Sequence, residues 1–403
     1  MRITVKNNVQ WVGKIDWELQ RFHGDEYSTH AGSSYNSFLI QEEKNVLIDT
    51  VWLPYAKEFV ENVKEAIPLE KIDYVIMNHG EIDHSGALCE LMSHIPDVPI
   101  YCTEAAVKSL TGQYHQNWNF KTVKTGDSLD IGNGKKLVFV EMKMLHWPDS
   151  MATYLTGDNI LFSNDAFGQH MASHELFNDK VDKDALYHEC IKYYANILTP
   201  FSMLVHKKIE EVLALKLPID IIAPSHGVIW RENPAQIVEK YLQWSQDYAE
   251  NQITILYDTM WEGTRKVAEA ISEGLGDKPC TGKKCTIKLM NLAKNDKNDV
   301  LTEVFKSKMI LVGSPTIGRG LTHATAGILE MMEGLRFKGK KAAGFGCYGW
   351  SGEGPAKITE ALKRSGFEIL DEGHKVLWNP DSDASEKAFA WGKSLREKLD
   401  AVN

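Results

Sequence analysis

Four side chains that commonly bind metal ions lie together in one short segment of the chain. Residues 74–77 are apolar and predict a strand, and the loop that follows contains His79, Glu81, Asp83 and His84. Imidazoles and carboxylates bind iron and zinc, and loops at strand ends often carry functional sites. If the loop is extended, alternate residues point the same way, so the first three side chains share one face and His84 points elsewhere. A polar surface loop is the alternative interpretation.

Three more polar residues follow apolar runs later in the sequence, at the ends of predicted strands. They are His146, Asp165 and His226. Taken singly, each is more commonly a hydrogen-bonded histidine or a turn aspartate than a metal ligand. Because all three repeat the strand-end placement of the first cluster, the combined pattern predicts a site for two metal ions.

The order of these residues, H-x-E-x-D-H followed by His, Asp and His, is similar to the metallo-β-lactamase fold. Hydrolases of that fold usually have a histidine where this chain has Glu81, and they bind zinc. A carboxylate at this position makes the site harder and more anionic, which favours iron over zinc. The resemblance also implies that Asp165 bridges the two metal ions.

Longer segments carry a more specific resemblance. Glu81 and the segments LHWPDSM, SNDAFGQH, YYANILTPF and SHGVIW together resemble the flavodiiron proteins, and the resemblance covers essentially the whole chain. It implies two non-haem iron ions with an oxo or hydroxo bridge. The ligands that it implies are His79, Glu81 and His146 for one iron, Asp83 and His226 for the other, and Asp165 as the bridge.

The same resemblance leaves the roles of three residues open. Within the flavodiiron family, the histidine at the position of His84 is a ligand in some members and is turned away in others. His84 therefore stays open as a ligand of the second iron. His23 and Tyr193 match positions beside the substrate pocket, where a catalytic role and a packing role agree equally well with the sequence.

Three loops in the second half of the chain predict a flavin site. Residues 255–264 indicate a strand, a hydroxyl-rich loop and a helix start, where backbone N–H groups and threonine hydroxyls can bind a phosphate. Glycine-containing loops at 313–320 and 344–352 follow two further strands, and in flavodoxin-like folds the ligand lies at the carboxyl ends of the strands. The predicted FMN contacts are Thr259, Met260, Trp261, Glu262, Gly263, Thr264, Ser314, Pro315, Thr316, Ile317, Gly318, Phe345, Gly346, Cys347, Tyr348, Gly349, Trp350, Ser351 and Gly352.

One position departs from the family pattern. Flavodiiron proteins commonly have two asparagines where this chain has Gly318 and Arg319. The departure affects the hydrogen bonds to the flavin ring and its potential, while FMN binding itself is still expected. Our hypothesis is that the positive charge of Arg319 favours an anionic reduced flavin.

The alternation of elements predicts an α/β fold with two domains. Hairpins are expected at 34–50 and 128–142, and from residue 253 onward strands alternate with amphipathic helices, which is typical of a parallel sheet. The predicted strands of the second half are 253–257, 286–291, 309–313, 341–345 and 367–370. The predicted domains are a metallo-β-lactamase-like αββα domain over residues 1–250 and a flavodoxin-like, doubly wound parallel-sheet domain over residues 251–403.

Composition limits the classes of protein that the chain can be. It has 403 residues and a net charge of −10, which argues against broad nucleic-acid binding. No apolar stretch of about 18 residues predicts a membrane span, and the N-terminus lacks the pattern of a signal peptide. The six cysteines form no C-x-x-C pair, which excludes a rubredoxin-type or iron–sulfur module and fits a reducing, cytoplasmic compartment.

The flavodiiron resemblance implies an oxidoreductase that passes electrons from FMN to iron and reduces O₂ to water, NO to N₂O, or both. The expected electron donor is a separate protein, rubredoxin, or a reduced deazaflavin. The expected assembly is a head-to-tail homodimer or a dimer of dimers, with Trp350 between the two redox centres. Two alternatives stay open: a zinc hydrolase fused to a flavodoxin domain, and an electron carrier whose first half is only structural.

Overall fold

The chain forms two compact units in a computed structural model that describes residues 2–277 and 285–401. The first unit contains Met1–Tyr194 and Phe201–Gln243, and the second contains Ala195–Pro200 and Trp244–Asn403. The domain limits expected from the sequence, with a division near residue 251, stay a prediction. Within the described residues, no helix is long and apolar enough to cross a membrane.

The first unit is built from short strands and helices. Its strands are β1 (Ile3–Lys6), β2 (Val9–Trp11), β3 (Lys14–Asp16), β4 (Arg21–Phe22), β5 (Tyr27–Ser28), β6 (Ser33–Tyr35), β7 (Phe38–Gln41), β8 (Asn45–Ile48), β9 (Tyr74–Ile76), β10 (Ile100–Cys102), β11 (Phe120–Thr122), β12 (Ser128–Gly132), β13 (Lys135–Glu141), β14 (Met151–Leu155), β15 (Ile160–Asn164) and β16 (Ile221–Pro224). Its helices are α1 (Ala56–Ala66), α2 (Ile82–Ser85), α3 (Leu88–His94), α4 (Glu104–Tyr114), α5 (Lys183–Tyr193), α6 (Ser202–Ala214) and α7 (Ala235–Trp244).

Two sheets of the first unit share one hydrophobic core. The seven-stranded sheet has the order β1-β2-β7-β8-β9-β10-β11, and the five-stranded sheet has the order β12-β13-β14-β15-β16. Buried side chains from both sheets contact each other in this core, for example Phe38 and Phe162, whose ring centroids are 5.0 Å apart. The architecture is the metallo-β-lactamase-like sandwich that the sequence predicts.

Both predicted hairpins are confirmed. Strands β7 and β8 pair in antiparallel fashion, and so do β12 and β13. Gly132 and Gly134, at the second turn, have φ angles of 86° and 73°, which residues with a Cβ rarely adopt. The prediction of an extended segment through Asp83 is wrong, because α2 begins at Ile82 and places Asp83 and His84 on its single turn.

The second unit is a parallel sheet covered by helices. Its strands are β17 (Gln252–Tyr257), β18 (Thr286–Asn291), β19 (Met309–Gly313), β20 (Lys341–Tyr348) and β21 (Glu368–Leu377). Its helices are α8 (Gly263–Gly276), α9 (Lys297–Lys306), α10 (His323–Leu335), α11 (Gly354–Arg364) and α12 (Ser382–Ala401). The strand order β18-β17-β19-β20-β21, with every neighbouring pair parallel, is that of a doubly wound flavodoxin-like domain.

The five predicted strands of this unit are present, but two extend well beyond their predicted ends. Strand β20 continues through Tyr348, so residues 346–348 lie in the strand, where a loop was expected. Strand β21 runs to Leu377, although its sequence alternates polar and apolar residues weakly. Of the neighbouring thiols Cys280 and Cys285, the first lies outside the described residues and the second is half-buried.

Candidate metal centre and flavin cleft

The carboxyl ends of neighbouring parallel strands in the first unit carry the candidate metal ligands. Strand β9 runs parallel to β8 and β10, and β15 runs parallel to β16. His79 follows β9, Asp165 follows β15, and His226 follows β16, while His146 lies in the turn between β13 and β14. Because these strand ends lie at one edge of the sandwich, residues far apart in sequence come together.

The first group of side chains is formed by His79, Glu81, His146 and one oxygen of Asp165. The His79 Nε2 atom lies 3.2 Å from Glu81 Oε2 and 3.7 Å from Asp165 Oδ2. The His146 Nε2 atom lies 3.5 Å from each of the same two oxygens. Ligands that share a metal ion at about 2.1 Å lie about 3 Å apart, so this spacing fits a metal ion.

The second group is formed by Asp83, His84, His226 and the other oxygen of Asp165. The His226 Nε2 atom lies 3.0 Å from Asp83 Oδ2 and 3.5 Å from Asp165 Oδ1. The His84 Nε2 atom lies 3.2 Å and 3.1 Å from the same two oxygens. Each oxygen of Asp165 therefore faces a different group, and His84 lies within the second group.

Unpaired polar atoms at this site agree with two metal ions. Asp83 Oδ1 and Asp165 Oδ2 are buried, and neither has a hydrogen-bond partner among residues 2–277 and 285–401. Leaving a buried carboxylate oxygen unpaired is costly unless a cation or water satisfies it. The donor set of imidazoles and carboxylates is the set that non-haem iron accepts.

The pKa values of His84 and Asp165 at this site are strongly shifted from their ordinary values. Burial disfavours the charged form of His84, but the carboxylates of Asp83 and Asp165 outweigh this and raise its pKa to about 9. Burial likewise opposes ionisation of Asp165, yet His84 and His146 hold its pKa well below the usual range. The raised pKa of His84 means that a metal ion binding to its Nε2 would displace a proton.

Two residues orient the histidines from behind. The carboxylate of Asp149 accepts a hydrogen bond from Nδ1 of His79 at 3.0 Å. The backbone oxygen of Ser34 accepts a hydrogen bond from Nδ1 of His226 at 2.8 Å. Both contacts leave Nε2 directed at the centre. The sequence interpretation missed Asp149, although its place three residues after His146, in a segment already singled out, was a usable signal.

The predicted pocket residues take different positions. An open pocket of about 420 Å³ borders the metal centre and is lined by His23, Trp52 and Trp147 among others. His23 Nε2 lies 3.2 Å from Glu81 Oε1. Tyr193 is instead buried, with its ring 5.5 Å from that of His170.

His170 is a buried residue of this region that the sequence interpretation missed. Its ring centroid lies 4.9 Å from that of His226, and its Nδ1 atom lies 2.8 Å from the Ser33 hydroxyl. Burial, reinforced by the charge on His226, holds the pKa of His170 well below its ordinary value. His170 packs between the rings of Tyr193 and His226.

A second open pocket, of about 400 Å³, lies at the carboxyl ends of the strands of the second unit. We call it the flavin cleft. Eleven of the predicted FMN contacts line it: Thr259, Met260, Trp261, Gly263, Thr264, Pro315, Thr316, Cys347, Tyr348, Gly349 and Trp350. Two more lining residues, Trp378 and Asn379, follow the last strand and were missed, because that loop has no glycine-rich pattern.

Other predicted FMN contacts take different places. Phe345 is fully buried in the core of the unit, and Glu262 pairs with Arg265 at the start of α8. The Ser314 hydroxyl accepts from the backbone N–H of Thr322 at 3.2 Å. These three residues lie behind or beside the residues that line the cleft. Of the remaining ones, Gly346 lies in β20, and Ile317, Gly318, Ser351 and Gly352 belong to the two loops that follow β19 and β20.

The cleft fits a phosphorylated flavin. The Thr259 hydroxyl is buried and has no hydrogen-bond partner in the described part of the chain, and it lies just before the N-terminus of α8. Free N–H groups at a helix N-terminus bind phosphate. A Cβ atom at Gly263 would lie 3.3 Å from Cys347 Sγ, so glycine keeps this end of the cleft open. Aromatic rings of Trp261 and Trp350, 85% and 87% exposed, border the opening.

Comparison with protein families divides the chain in the same way as the fold. A model described as ODP family beta lactamase matches residues 34–227. A model described as flavodoxin matches residues 255–392. The two matches contain the metal centre and the lining residues of the flavin cleft, respectively.

Relatives and solved structures match nearly the whole chain. It is 54% identical to an anaerobic nitric oxide reductase flavorubredoxin of Escherichia coli O1:K1 over 396 residues, covering 98% of this chain and 82% of that protein. The rubredoxin oxygen:oxidoreductase of Desulfovibrio gigas superposes with a TM-score of 0.94 at 32% identity, covering 100% and 99% of the two chains. A flavodiiron protein from Giardia intestinalis superposes with a TM-score of 0.93 at 32% identity, covering 100% and 97%.

Proposed function

Because this chain belongs to the flavodiiron protein family, we propose that it is an oxidoreductase in which FMN passes electrons to a diiron site that reduces NO to N₂O or O₂ to water. The observation that carries the proposal is Asp165, whose two carboxylate oxygens face two separate groups of imidazole and carboxylate ligands. A single carboxylate shared in this way is what a pair of metal ions needs.

We assign the ligands by these two groups. His79, Glu81 and His146 would hold one iron, Asp83 and His226 would hold the other, and Asp165 would offer one carboxylate oxygen to each. The distance of 3.1 Å from His84 Nε2 to Asp165 Oδ1 supports His84 as a further ligand of the second iron. When bound, two ferrous ions supply electrons and open positions for the diatomic substrate.

The chain's own residues orient the ligands and deliver protons. Asp149 fixes the ring of His79, and the buried carboxylates hold the positive charge of the centre in place. Both reductions consume protons, and His23 borders the open pocket with Nε2 3.2 Å from Glu81. Burial lowers the pKa of His23, but its hydrogen bond to Glu81 and the nearby carboxylates outweigh burial and raise that pKa above its ordinary value, which favours His23 as a proton donor at this pocket.

The flavin cleft supplies the electrons. We propose that the N-terminus of α8, with the hydroxyls of Thr259 and Thr264, binds the FMN phosphate, and that the loops after β19 and β20 surround the ring. FMN held there would supply electron-transfer chemistry between a donor and the metal centre. The 87% exposure of Trp350 supports a contact of this residue with a second protein molecule.

The partners follow from family membership. We propose a head-to-tail homodimer or a dimer of dimers, with rubredoxin or a reduced deazaflavin as the electron donor. The E. coli relative is named a flavorubredoxin, and it is longer than this chain, which covers 82% of it. A cytoplasmic location agrees with the thiols of Cys89, Cys102, Cys190 and Cys347, which form no disulfide among the described residues.

The experiment is a count of iron and FMN in protein purified without added metal, followed by anaerobic NO-consumption and O₂-consumption assays. We expect about two irons and one FMN per chain. Asp165→Asn should lose iron and gas turnover but keep FMN, while the exposed control Asp97→Asn should keep all three. Zinc in place of iron, with no gas turnover after ferrous reconstitution, would instead favour the hydrolase alternative. Full gas turnover by Asp165→Asn would favour the electron-carrier alternative.

A further inference from the structure

We propose that Trp378 binds the ring of the flavin and forms an aromatic wall of the flavin cleft in addition to Tyr348 and Trp350. The proposal rests on FMN as the occupant of this cleft. Trp378 is the first residue after β21, at the same carboxyl edge of the sheet as the three loops that the sequence singled out. Its side chain lines the cleft together with Asn379.

The backbone at Trp378 is unusual for a large residue. Its φ angle is +56°, in the left-handed region that bulky side chains rarely adopt. The Trp378 N–H donates to the backbone oxygen of Tyr348 at 2.7 Å, which holds the residue in this conformation. Strained backbone of this kind is concentrated at ligand-binding sites, where it places a side chain that relaxed geometry would not.

The ring of Trp378 occupies space that a glycine leaves free. A Cβ atom at Gly349 would lie 2.9 Å from Cζ3 of Trp378, so any larger residue there would displace the indole. The ring centroid of Trp350 lies 6.4 Å away, at an interplanar angle of 57°. The two indoles and Tyr348 therefore form one aromatic corner of the cleft.

The ring of Trp378 is accessible to a ligand in the cleft. Trp378 is 61% exposed in the protein alone, although it is held by its backbone contact and by Gly349. An indole that is fixed and open to a cleft offers a flat surface of the kind on which an isoalloxazine ring stacks. Tryptophan is also the side chain with the most electron-rich face.

Asn379 connects this wall to the end of the cleft that is assigned to the phosphate. Its Oδ1 atom accepts from Nζ of Lys266 at 3.4 Å, and Lys266 lies in the first turn of α8. The loop after β21 is thus tied both to the loop after β20 and to the helix whose N-terminus faces the phosphate. Trp378 sets the width of the cleft between these two anchors.

Three measurable effects follow from an electron-rich ring against the flavin. Loss of the indole should weaken FMN binding by about tenfold, which is typical for the loss of an aromatic stacking partner. It should also make the flavin easier to reduce, because the π face of the indole disfavours the negative charge of a reduced flavin. Indoles quench flavin fluorescence on contact, so emission from bound FMN should rise.

The test uses the full-length protein stripped of FMN and titrated with FMN, followed by fluorescence and by a redox titration. Trp378→Leu should bind FMN about tenfold more weakly, while Trp378→Phe should bind within about threefold and emit more strongly than the wild type. The control Trp17→Leu changes a half-exposed tryptophan of the other unit and should match the wild type. Gly349→Ala, which displaces the indole without removing it, should weaken binding as Trp378→Leu does.

The outcomes separate this proposal from the proposed function. If Trp378→Leu and Trp378→Phe both bind FMN within twofold of the wild type, with unchanged emission and potentials, Trp378 does not contact the flavin and the proposal is wrong. If the wild-type protein itself binds no FMN, the assignment of the cleft fails first and the proposal fails with it.

Discussion

The Oδ1 atom of Asp149 lies 3.0 Å from Nδ1 of His79, and both side chains are completely buried. The second oxygen of Asp149 accepts from the backbone N–H of Gly80 at 2.9 Å. A Cβ atom at Gly80 would lie 2.7 Å from that oxygen, so the carboxylate fits tightly against the loop. This pair fixes which nitrogen of His79 is directed at Glu81 and Asp165.

Asp149→Asn should weaken iron binding. The amide oxygen of asparagine can still accept a hydrogen bond from His79, but the negative charge that supports the histidine is lost. Because the loss of such a partner typically lowers metal affinity, we expect iron to bind about 10–100-fold more weakly. The measurement is competition for ferrous ion with a chelator under anaerobic conditions, with FMN content as the internal reference. Iron affinity within twofold of wild type, against Asp97→Asn as control, would show that Asp149 does not support the ligand.

Arg319→Asn should lower the potentials of the flavin. Arg319 has a φ angle of +59°, which asparagine adopts more easily than arginine, so the variant should fold at least as well. Removing the positive charge disfavours the anionic reduced flavin, and we expect a fall of about 60 mV, a tenfold change for one electron. Both one-electron potentials are read in a redox titration. The matched control is Arg336→Asn, which changes a second arginine with positive φ (+53°), at the C-terminal cap of α10. Equal flavin potentials in the two variants would refute the hypothesis that Arg319 favours an anionic reduced flavin.

Cys347 should resist alkylation at pH 8. Burial raises the pKa of its thiol to about 11, so almost none of the reactive thiolate is present at that pH. Cys89 is exposed and serves as the internal control. Labelling with iodoacetamide and mapping by mass spectrometry should modify Cys89 first, and FMN should slow Cys347 further because it lies in the cleft. Equal labelling of the two thiols would contradict the buried placement.

Glu303→Gln should destabilise the second unit at neutral pH. Its Oε2 atom lies 2.7 Å from Nζ of Lys288 and 2.7 Å from Nε2 of Gln252. Burial opposes ionisation, but Lys288 and Gln252 outweigh it and hold the pKa below the usual value. The ionised carboxylate of Glu303 therefore stabilises the folded state at pH values above the unfolded pKa of about 4.3. This contribution is lost as the pH falls through the lower pKa of the folded state.

We expect Glu303→Gln to lower the free energy of unfolding by about 1–3 kcal/mol at pH 7. The difference from the wild type should shrink below about pH 4, as the carboxylate takes up a proton in both states. Urea unfolding monitored by the release of FMN fluorescence measures it at each pH. Glu372→Gln, at an exposed ion pair with Lys363, is the control and should show no measurable change. A difference that is independent of pH would contradict the assigned role of the carboxylate.

Local sequence patterns predict most of the site but cannot predict two of its features. Three of the proposed metal ligands, His146, Asp165 and His226, follow apolar runs, and this placement singles them out once it is combined with the first cluster at 79–84. The pattern does not reveal α2, because a single helical turn at Ile82–Ser85 is stabilised by its surroundings and has no periodic signal of its own. Trp378 is missed for a related reason: its role depends on contact with Gly349, which is 29 positions earlier in the chain.

The proposed metal ligands all lie between His79 and His226, and every residue that lines the flavin cleft lies between Thr259 and Asn379. On the ribosome, the chain is made in that order. The iron site is therefore complete in sequence once residue 226 has emerged, before the first residue of the cleft is accessible. A chain that ended between residues 226 and 259 would therefore contain every proposed metal ligand and none of the residues that line the flavin cleft.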